Sequence, residues 1–152
     1  MVRLWPGYDP VAAAARLNEA GAPYGITFAA REMVANSRLA LEAAEFARDH
    51  GRYGEVHQRL FSAYFQKGLN IGELESVLQV AEEAGLDPPA LREALARGTY
   101  RQRLEAVRDL GRQYQVTAIP TFIIGGTAKI VGAQPYSVFA GAVESRLAGG
   151  AS

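Results

Sequence analysis

The sequence predicts an α+β protein that is mostly helical and that ends in a β-hairpin followed by one more helix. Three observations predict this class. Between Ser37 and Gln115, apolar residues recur at helical spacing in five stripes, each with its own start and stop signals. Two runs rich in β-branched residues then flank Gly125-Gly126, which is the pattern of a tight hairpin. With 152 residues, the chain is long enough to bury one core.

The N-terminal part is predicted to contain one extended piece and one helix. Residues 1–5 form a short extended segment that serves at best as an edge strand. Asp9 is a helix cap with proline at the first helical position, so an alanine-rich helix from Val11 to Ala20 follows and ends at Gly21. The segment from Gly21 to Ala35 has no sustained period and is predicted to be a loop.

Five amphipathic helices are predicted next. Asn70 and Glu73 have the spacing of a capping box at the start of the third, and Asp87 with proline after it begins the fourth. The helices begin near Ser37, Tyr53, Asn70, Asp87 and Thr99, and end near Gly51, Gly68, Gly85, Gly98 and Gln115. The apolar positions expected to face inward are Leu39, Ala43, Phe46, Ala47, Val56, Leu60, Phe61, Tyr64, Phe65, Leu74, Val77, Leu78, Ala81, Leu91, Leu95, Leu104, Val107, Leu110 and Tyr114.

The predicted hairpin raises a physical difficulty. Its first strand, from Thr121 to Ile124, carries apolar residues on both faces, which is typical of a strand buried inside a sheet. An isolated pair of strands is marginal in water. We therefore expect the exposed sheet edge to be completed by a second copy of the chain, by the N-terminal segment, or by a part of the parent protein outside this chain. The last helix follows Pro135, and its apolar residues are Tyr136, Phe139, Val143 and Leu147.

Composition excludes several functional classes. Sixteen basic and sixteen acidic side chains cancel, which disfavours nucleic acid and anionic membranes as partners. The chain has no cysteine, so it has no thiol nucleophile, disulfide or thiolate zinc site, and its two histidines, His50 and His57, do not have metal-ligand spacing. We expect no catalytic residue, no metal and no cofactor in this chain.

The apolar stretches are too short to span a bilayer and no leader is apparent, so a cytoplasmic location is predicted.

Several segments resemble one protein family. Residues 116–125 (VTAIPTFIIG) and 131–135 (VGAQP) resemble the end of a DsbA-family thioredoxin fold, in particular the FrnE-like group of cytoplasmic disulfide oxidoreductases. Four upstream motifs resemble, in order, the helical lobe that this family inserts into its thioredoxin core. They are Asn36–Ala40, Leu60–Phe65, Asn70–Gly72 and Ala84–Asp87. The resemblance covers about Ala35 to Leu147.

The resemblance implies a partial thioredoxin-like fold in three parts. These are an N-terminal extended segment and short helix over 1–35, an inserted helical lobe over 36–115, and a C-terminal hairpin and helix over 116–148. In this family the proline before the hairpin is cis, and the backbone beside it pairs with the extended chain of a peptide or protein substrate. By position, the substrate-binding residues are Ile119, Pro120 and Thr121.

The departure from the family pattern matters equally. The family's first strand and its Cys-x-x-Cys helix have no counterpart here, so the resemblance indicates a chain truncated at its N-terminus. Thiol–disulfide exchange needs a thiolate that attacks a disulfide sulfur. We therefore expect this chain to be redox-inert by itself.

Three alternatives remain open. The kappa-class glutathione transferases and 2-hydroxychromene-2-carboxylate isomerases share the inserted architecture and use a serine with glutathione. A non-catalytic peptide-binding or scaffold module would take an extended peptide beside Ile119 and Pro120 by β-addition. In the third alternative, Pro120 only shapes a turn before a strand.

Overall fold

The structure is a computed structural model that describes residues 2, 3 and 7–149. It divides into two compact units, residues 1–105 and residues 106–152. The predicted class, α+β and mostly helical, is confirmed. In the described part of the chain, no helix is both long and apolar enough to cross a membrane.

The first unit is built from helices and one short β-pair. Two irregular turns complete it, a 3-10 turn at Ala22–Tyr24 and a π-helical turn at Ser62–Gln66. Its regular elements are β1 (Val2–Arg3), α1 (Pro10–Gly21), β2 (Met33–Val34), α2 (Arg38–Asp49), α3 (Tyr53–Phe61), α4 (Leu74–Glu83) and α5 (Pro88–Arg97). The helix α6 (Arg101–Gln113) begins in this unit and ends in the second.

The core of the first unit lies among α2, α3, α4 and α5. Small residues on the facing helices, Ala43 on α2 and Ala81 on α4, are fully buried and let these helices approach closely. Larger side chains fill the remaining space, and Val56, Val77 and Leu91 are fully buried. Most of the predicted inward positions are confirmed. The buried ones are Ala43, Phe46, Ala47, Val56, Leu60, Val77, Leu78, Ala81, Leu91 and Leu95.

The N-terminal prediction is correct at the cap and wrong in part of the loop. Asp9 Oδ1 accepts hydrogen bonds from the amides of Val11 and Ala12, at 2.9 and 3.0 Å. Residues 21–35 are not simply a loop, because they contain the 3-10 turn and β2. β1 pairs antiparallel with β2, with Val2 opposite Val34. A two-residue strand is too short to show a period, so pattern alone missed it. Of the predicted extended segment, residues 1, 4 and 5 lie outside the described residues.

One predicted helix boundary is wrong, at the start of α4, and the second amphipathic helix changes type before its predicted end near Gly68. The second amphipathic helix stops at Phe61 and continues as the π-helical turn, in which one extra residue is accommodated. The capping box does not form, and α4 begins at Leu74. Asn70 Oδ1 instead accepts from the amide of Gly72 at 3.1 Å, and Asn70 Nδ2 donates to Glu73 at 2.7 Å. A short amide side chain satisfies its own local turn in preference to capping the helix.

The apolar stripe of α6 is also predicted wrongly. Leu104 is half-buried, whereas Val107 is 65% exposed and Leu110 is 50% exposed. The buried residue of this region is Tyr100, which precedes the helix. Helical periodicity identifies an apolar face, but it does not establish that another element packs against that face.

The second unit contains the hairpin and the last helix. β3 (Thr121–Ile124) pairs antiparallel with β4 (Ala128–Val131), and α7 spans Tyr136–Gly149. Three residues form the turn, including Gly125 and Gly126, whose φ angles of 57° and 76° favour glycine. The predicted two-residue turn is therefore one residue too short. The predicted hairpin itself is confirmed.

The apolar residues of the second unit remain largely accessible. Phe122 packs edge-to-face on Phe139 of α7, with ring centroids 4.9 Å apart, and Ile130 is buried. Phe122 and Val131 are nevertheless exposed, as expected for an apolar hairpin that has no further strand beside it in the described residues. Most of the predicted inner side of α7 is exposed as well, including Tyr136, Val143 and Leu147.

Each strand pair forms its own two-stranded sheet in the described residues. In the described residues, Val2 and Arg3 of the N-terminal segment pair with β2. Completion by a second copy or by a further part of the parent protein stays a prediction.

Candidate functional site

The loop that leads into β3 is anchored on both sides. α6 ends through a left-handed residue, Gln115, whose φ is 50°, and the amide of Val116 donates to the carbonyl of Gly111 at 2.9 Å. Lys129 of β4 donates its Nζ to the carbonyls of Tyr114 and Gln115, at 3.3 and 3.2 Å. The hairpin therefore holds the C-terminal end of α6. The sequence predicts the helix end near Gln115 correctly, but it does not identify Lys129, because a lysine on a strand is ordinarily solvent-exposed.

The three predicted site residues form one continuous loop-to-strand junction. The Ile119–Pro120 peptide bond is cis. Thr121, the first residue of β3, donates its hydroxyl to the carbonyl of Ala118 at 2.6 Å. The amide of Gly132, just after β4, donates to the carbonyl of Pro120 at 2.8 Å. These two bonds hold the backbone on either side of the junction.

Ile119 is the most accessible large apolar residue of the described chain. It is 90% exposed, and neither its amide nor its carbonyl takes part in a backbone hydrogen bond with any described residue. An exposed residue with a free donor and a free acceptor can accept an added strand through main-chain hydrogen bonds. The geometry of Ile119 therefore supports recognition of an extended backbone.

The junction carries no titratable side chain, and the shifted pKa values occur in surface ion pairs of the first unit. The pKa of Asp49 is lowered, because Arg103 donates two hydrogen bonds to it, at 2.8 and 3.0 Å, and Tyr100 donates a third. Burial, and then the bond to Asp49, raises the pKa of Tyr100. Hydrogen bonds from Arg59 and then Arg52 lower the pKa of Glu55. The pair of Asp49 and Arg103 joins α2 to α6, whereas the pairs of Glu55 lie within α3 and at its start.

The histidines lie in aromatic contacts. His50 Nδ1 is 2.8 Å from the carbonyl of Phe46, and the two rings stack 4.1 Å apart. His57 lies between the rings of Tyr53 and Phe61. In the described ranges, no group of three or more histidine, cysteine or acidic side chains is placed to hold a metal ion.

Comparison with known proteins identifies the family. Residues 10–144 match the DSBA-like thioredoxin domain. The chain belongs to this family. The match includes the helical lobe as well as the hairpin and most of α7, so the DsbA-type, partial thioredoxin-like fold predicted from the motifs is confirmed.

Two individual proteins are similar to this DsbA-like chain. The uncharacterized protein YwbO of Bacillus subtilis is 38% identical over 106 residues, which are 69% of this chain and 52% of YwbO. The crystal structure of a probable DsbA oxidoreductase from Streptomyces coelicolor superimposes with a TM-score of 0.76 at 23% identity. That superposition covers 90% of this chain and 60% of the other, and it shows a shared fold. The chain thus spans about half the length of one relative and 60% of the other.

Proposed function

We propose that this chain is the substrate-binding portion of a FrnE-like disulfide oxidoreductase, and that Ile119, Pro120 and Thr121 pair with an extended polypeptide. The observation that carries the proposal is the state of Ile119. Its side chain is 90% exposed, and its amide and carbonyl are unpaired within the described residues. Addition of a strand satisfies both backbone groups and covers an apolar side chain at the same time.

The fixed backbone around Ile119 supports the same role. Thr121 bonds to Ala118, and Gly132 bonds to Pro120, so the residues on each side of Ile119 are already held. A preorganised backbone loses little conformational entropy when a peptide binds. Peptide specificity then depends on which side chains fit beside Ile119 and along β3.

The proposal assigns no redox step to this chain alone. Exchange requires a sulfur that attacks, a disulfide that is broken and a thiol that leaves, and the 152 residues supply no sulfur nucleophile. The chain therefore binds a substrate whose disulfide or thiols react only with a cysteine pair supplied elsewhere. We place this activity in the cytoplasm, as the resemblance to the FrnE-like group implies.

Binding of an extended peptide is tested by titration of the full chain with a short fluorescent peptide of alternating valine and threonine. We expect saturable binding that weakens at least about tenfold in Ile119→Glu, because a charge cannot enter an apolar contact without desolvation. The matched control is Val11→Glu, which introduces the same charge at an exposed position of α1 and leaves affinity unchanged. Equal affinities for the two variants contradict the proposal.

Redox inertness and the glutathione alternative are tested on the same preparation. We expect reduction of insulin disulfides by dithiothreitol to proceed at the same rate with and without the chain. We also expect no saturable binding of glutathione. Acceleration of the reduction overturns the claim of inertness, whereas saturable glutathione binding favours the kappa-class alternative.

We further propose that the free rims of the hairpin pair with a second copy of the chain when no other partner is present. Phe122 and Val131 are exposed, and β3 and β4 have no further strand beside them in the described residues. Unpaired strand edges with apolar residues favour association. Sedimentation velocity is expected to show dimers as concentration rises. A monomer at every concentration contradicts this proposal.

A further inference from the structure

An aromatic row runs along α3 and the π-helical turn of the first unit. Tyr53, His57, Phe61 and Phe65 follow one another at four-residue spacing, with successive ring centroids 5.3, 4.7 and 5.5 Å apart. Residues four apart on a helix lie on the same face, which explains the row. Phe61 is 54% exposed, although the sequence predicts it inside.

Each end of the aromatic row contacts an arginine, but the two arginines differ. Arg48 lies 3.9 Å from the ring centre of Tyr53 and also pairs with Glu45 at 3.1 Å. Arg31 lies 4.1 Å from the ring centre of Tyr64 and 4.8 Å from that of Phe65. Arg31 has no ion pair and no side-chain hydrogen bond with any residue that the structure describes.

Arg31 is therefore a held cation with unused donors. Two aromatic rings fix its guanidinium, and the residue is half-buried. A guanidinium has five N–H donors in a planar fork whose preferred partner is a carboxylate or a phosphate. Arg16 and Arg108 also make no ion pair among the described residues, but they are exposed and water satisfies their donors.

Two cavities lie near Phe65, which lines the larger one and whose ring contacts Arg31 and Tyr64 of the smaller one. The smaller, about 160 Å³, is lined by Arg31, Tyr64 and neighbouring residues. The larger, about 530 Å³, is lined by Phe65 and by apolar residues that include Ile26, Phe28 and Phe61. The larger one lies within the usual size range of small-molecule sites. Because the Phe65 ring contacts Arg31 and also lines the larger cavity, the cation lies beside an apolar space.

The walls of the larger cavity are neutral and well held. Its polar lining residues are Thr27, Gln58, Ser62 and Gln66, and none is charged. One wall is fixed to the rest of the unit, because the carboxamide of Asn18 bonds to both the amide and the carbonyl of Phe28, at 2.7 and 3.1 Å. The amide of Ala29 donates to the carbonyl of Phe65 at 2.7 Å. These hydrogen bonds hold one wall of the larger cavity in place.

We propose that these two cavities bind an alkyl monocarboxylate, with its carboxylate on Arg31 and its chain against Phe61 and Phe65. A ligand with one negative charge matches the smaller cavity, because Arg31 is the one cation in its lining. The exposed acidic residue Glu32 also lines this cavity, and its charge disfavours a ligand with two negative charges. A flexible chain suits the larger cavity better than a planar ring. Phe61 already contacts the rings of His57 and Phe65, which leaves less of its surface for a further ring.

The site involves none of Ile119, Pro120 and Thr121, so it stands apart from the proposed peptide-binding function. Its test is calorimetric titration of the full chain with octanoate and, separately, with 1-octanol. Octanoate is expected to bind at least about tenfold more tightly, because only the carboxylate uses the guanidinium fork. Equal binding of the two probes, or no binding of octanoate, overturns the proposal.

Two variants locate the anion. Arg31→Met keeps an apolar stem and removes the charge, so we expect it to lose the preference for octanoate while it still binds 1-octanol. Arg16→Met removes an exposed, unpaired arginine from α1 and is expected to bind both probes as the unchanged chain does. If Arg31→Met does not fold by circular dichroism, competition decides. Displacement of octanoate by equimolar inorganic phosphate, which has no alkyl chain, contradicts the proposal, whereas failure to displace it agrees.

Discussion

Glu42 offers a sharp test of how this fold tolerates a buried charge. Its side chain lies on α2 with none of its surface exposed. Arg38, one helical turn earlier, places Nη1 2.6 Å from Oε1, and Arg101 approaches the same oxygen to 4.0 Å. The second oxygen, Oε2, is buried and has no hydrogen-bond partner in the described structure. The hydrogen bond from Arg38 is thus the main interaction that offsets the cost of burying the Glu42 carboxylate.

The perturbation is Arg38→Met, which removes the charge and keeps the alkyl stem. A hydrogen bond to a charged group contributes about 1.5–3 kcal/mol, and a buried charge without its partner costs about 3–5 kcal/mol. Arg38 is itself 43% exposed, so water screens part of the pair, and we expect a loss of about 2–3 kcal/mol in the free energy of unfolding. Glu42→Leu removes the buried charge altogether and is expected to change stability by less than about 1 kcal/mol or to raise it.

The assay is urea denaturation followed by far-UV circular dichroism at neutral pH. The double variant Arg38→Met with Glu42→Leu is expected to recover most of the stability that Arg38→Met loses, because no carboxylate is then left without a partner. Arg92→Met is the control, since its pair with Glu75 is exposed and contributes about 0–1 kcal/mol. If Arg38→Met costs no more than Arg92→Met, or if the double variant is as unstable as Arg38→Met, the reasoning is refuted.

Three further predictions concern stability. Leu91→Ala, at a fully buried position, is expected to cost about 2–5 kcal/mol in the same denaturation, and a cost under 1 kcal/mol, well below this range, contradicts the packing described. Gly21→Ala places a Cβ 2.6 Å from the carbonyl oxygen of Ile26, so we expect a lower melting temperature, whereas Gly54→Ala, which meets open space, is the control. Asp49→Asn is expected to lower the melting temperature at neutral pH. Because Arg103 lowers the pKa of Asp49, the stabilisation by the Asp49 carboxylate is present above the ordinary aspartate pKa of about 4. It is lost as pH falls through the lower pKa of the folded state. A difference in melting temperature between the two proteins that persists unchanged at low pH refutes the assignment.

Much of the fold could be predicted from local sequence. A helix begins where proline follows a capping residue and ends at glycine, because single residues have strong conformational preferences. The two strands of the hairpin follow from a short period of apolar residues. α1, α5 and the hairpin show this directly. Predictions failed where a side chain had two local choices. Asn70 made a turn of its own instead of capping α4, and the residues after Phe61 formed a π-helical turn instead of continuing α3.

The candidate site could be located from sequence only through its resemblance to a family. Ile119, Pro120 and Thr121 are adjacent in the chain, so a motif sufficed to identify them. That the amide and carbonyl of Ile119 have no partner in the described part of the chain could not be predicted, because the pairing of a backbone group depends on which segments come near it. Arg31 was missed altogether, since its aromatic partners lie more than thirty residues away in the sequence.

The sequence by itself determined the helical periods, the turn positions, the absence of any sulfur nucleophile and the family. Those properties are local or compositional, and each residue carries them wherever it lies. Only the tertiary structure decided which apolar faces are covered, leaving Val107 and Phe61 exposed while Tyr100 is buried. It also left Arg31 without an acidic partner among the described residues, while it placed Arg38 beside Glu42. Burial and charge pairing depend on the distance between segments remote in sequence, and no local pattern encodes that distance.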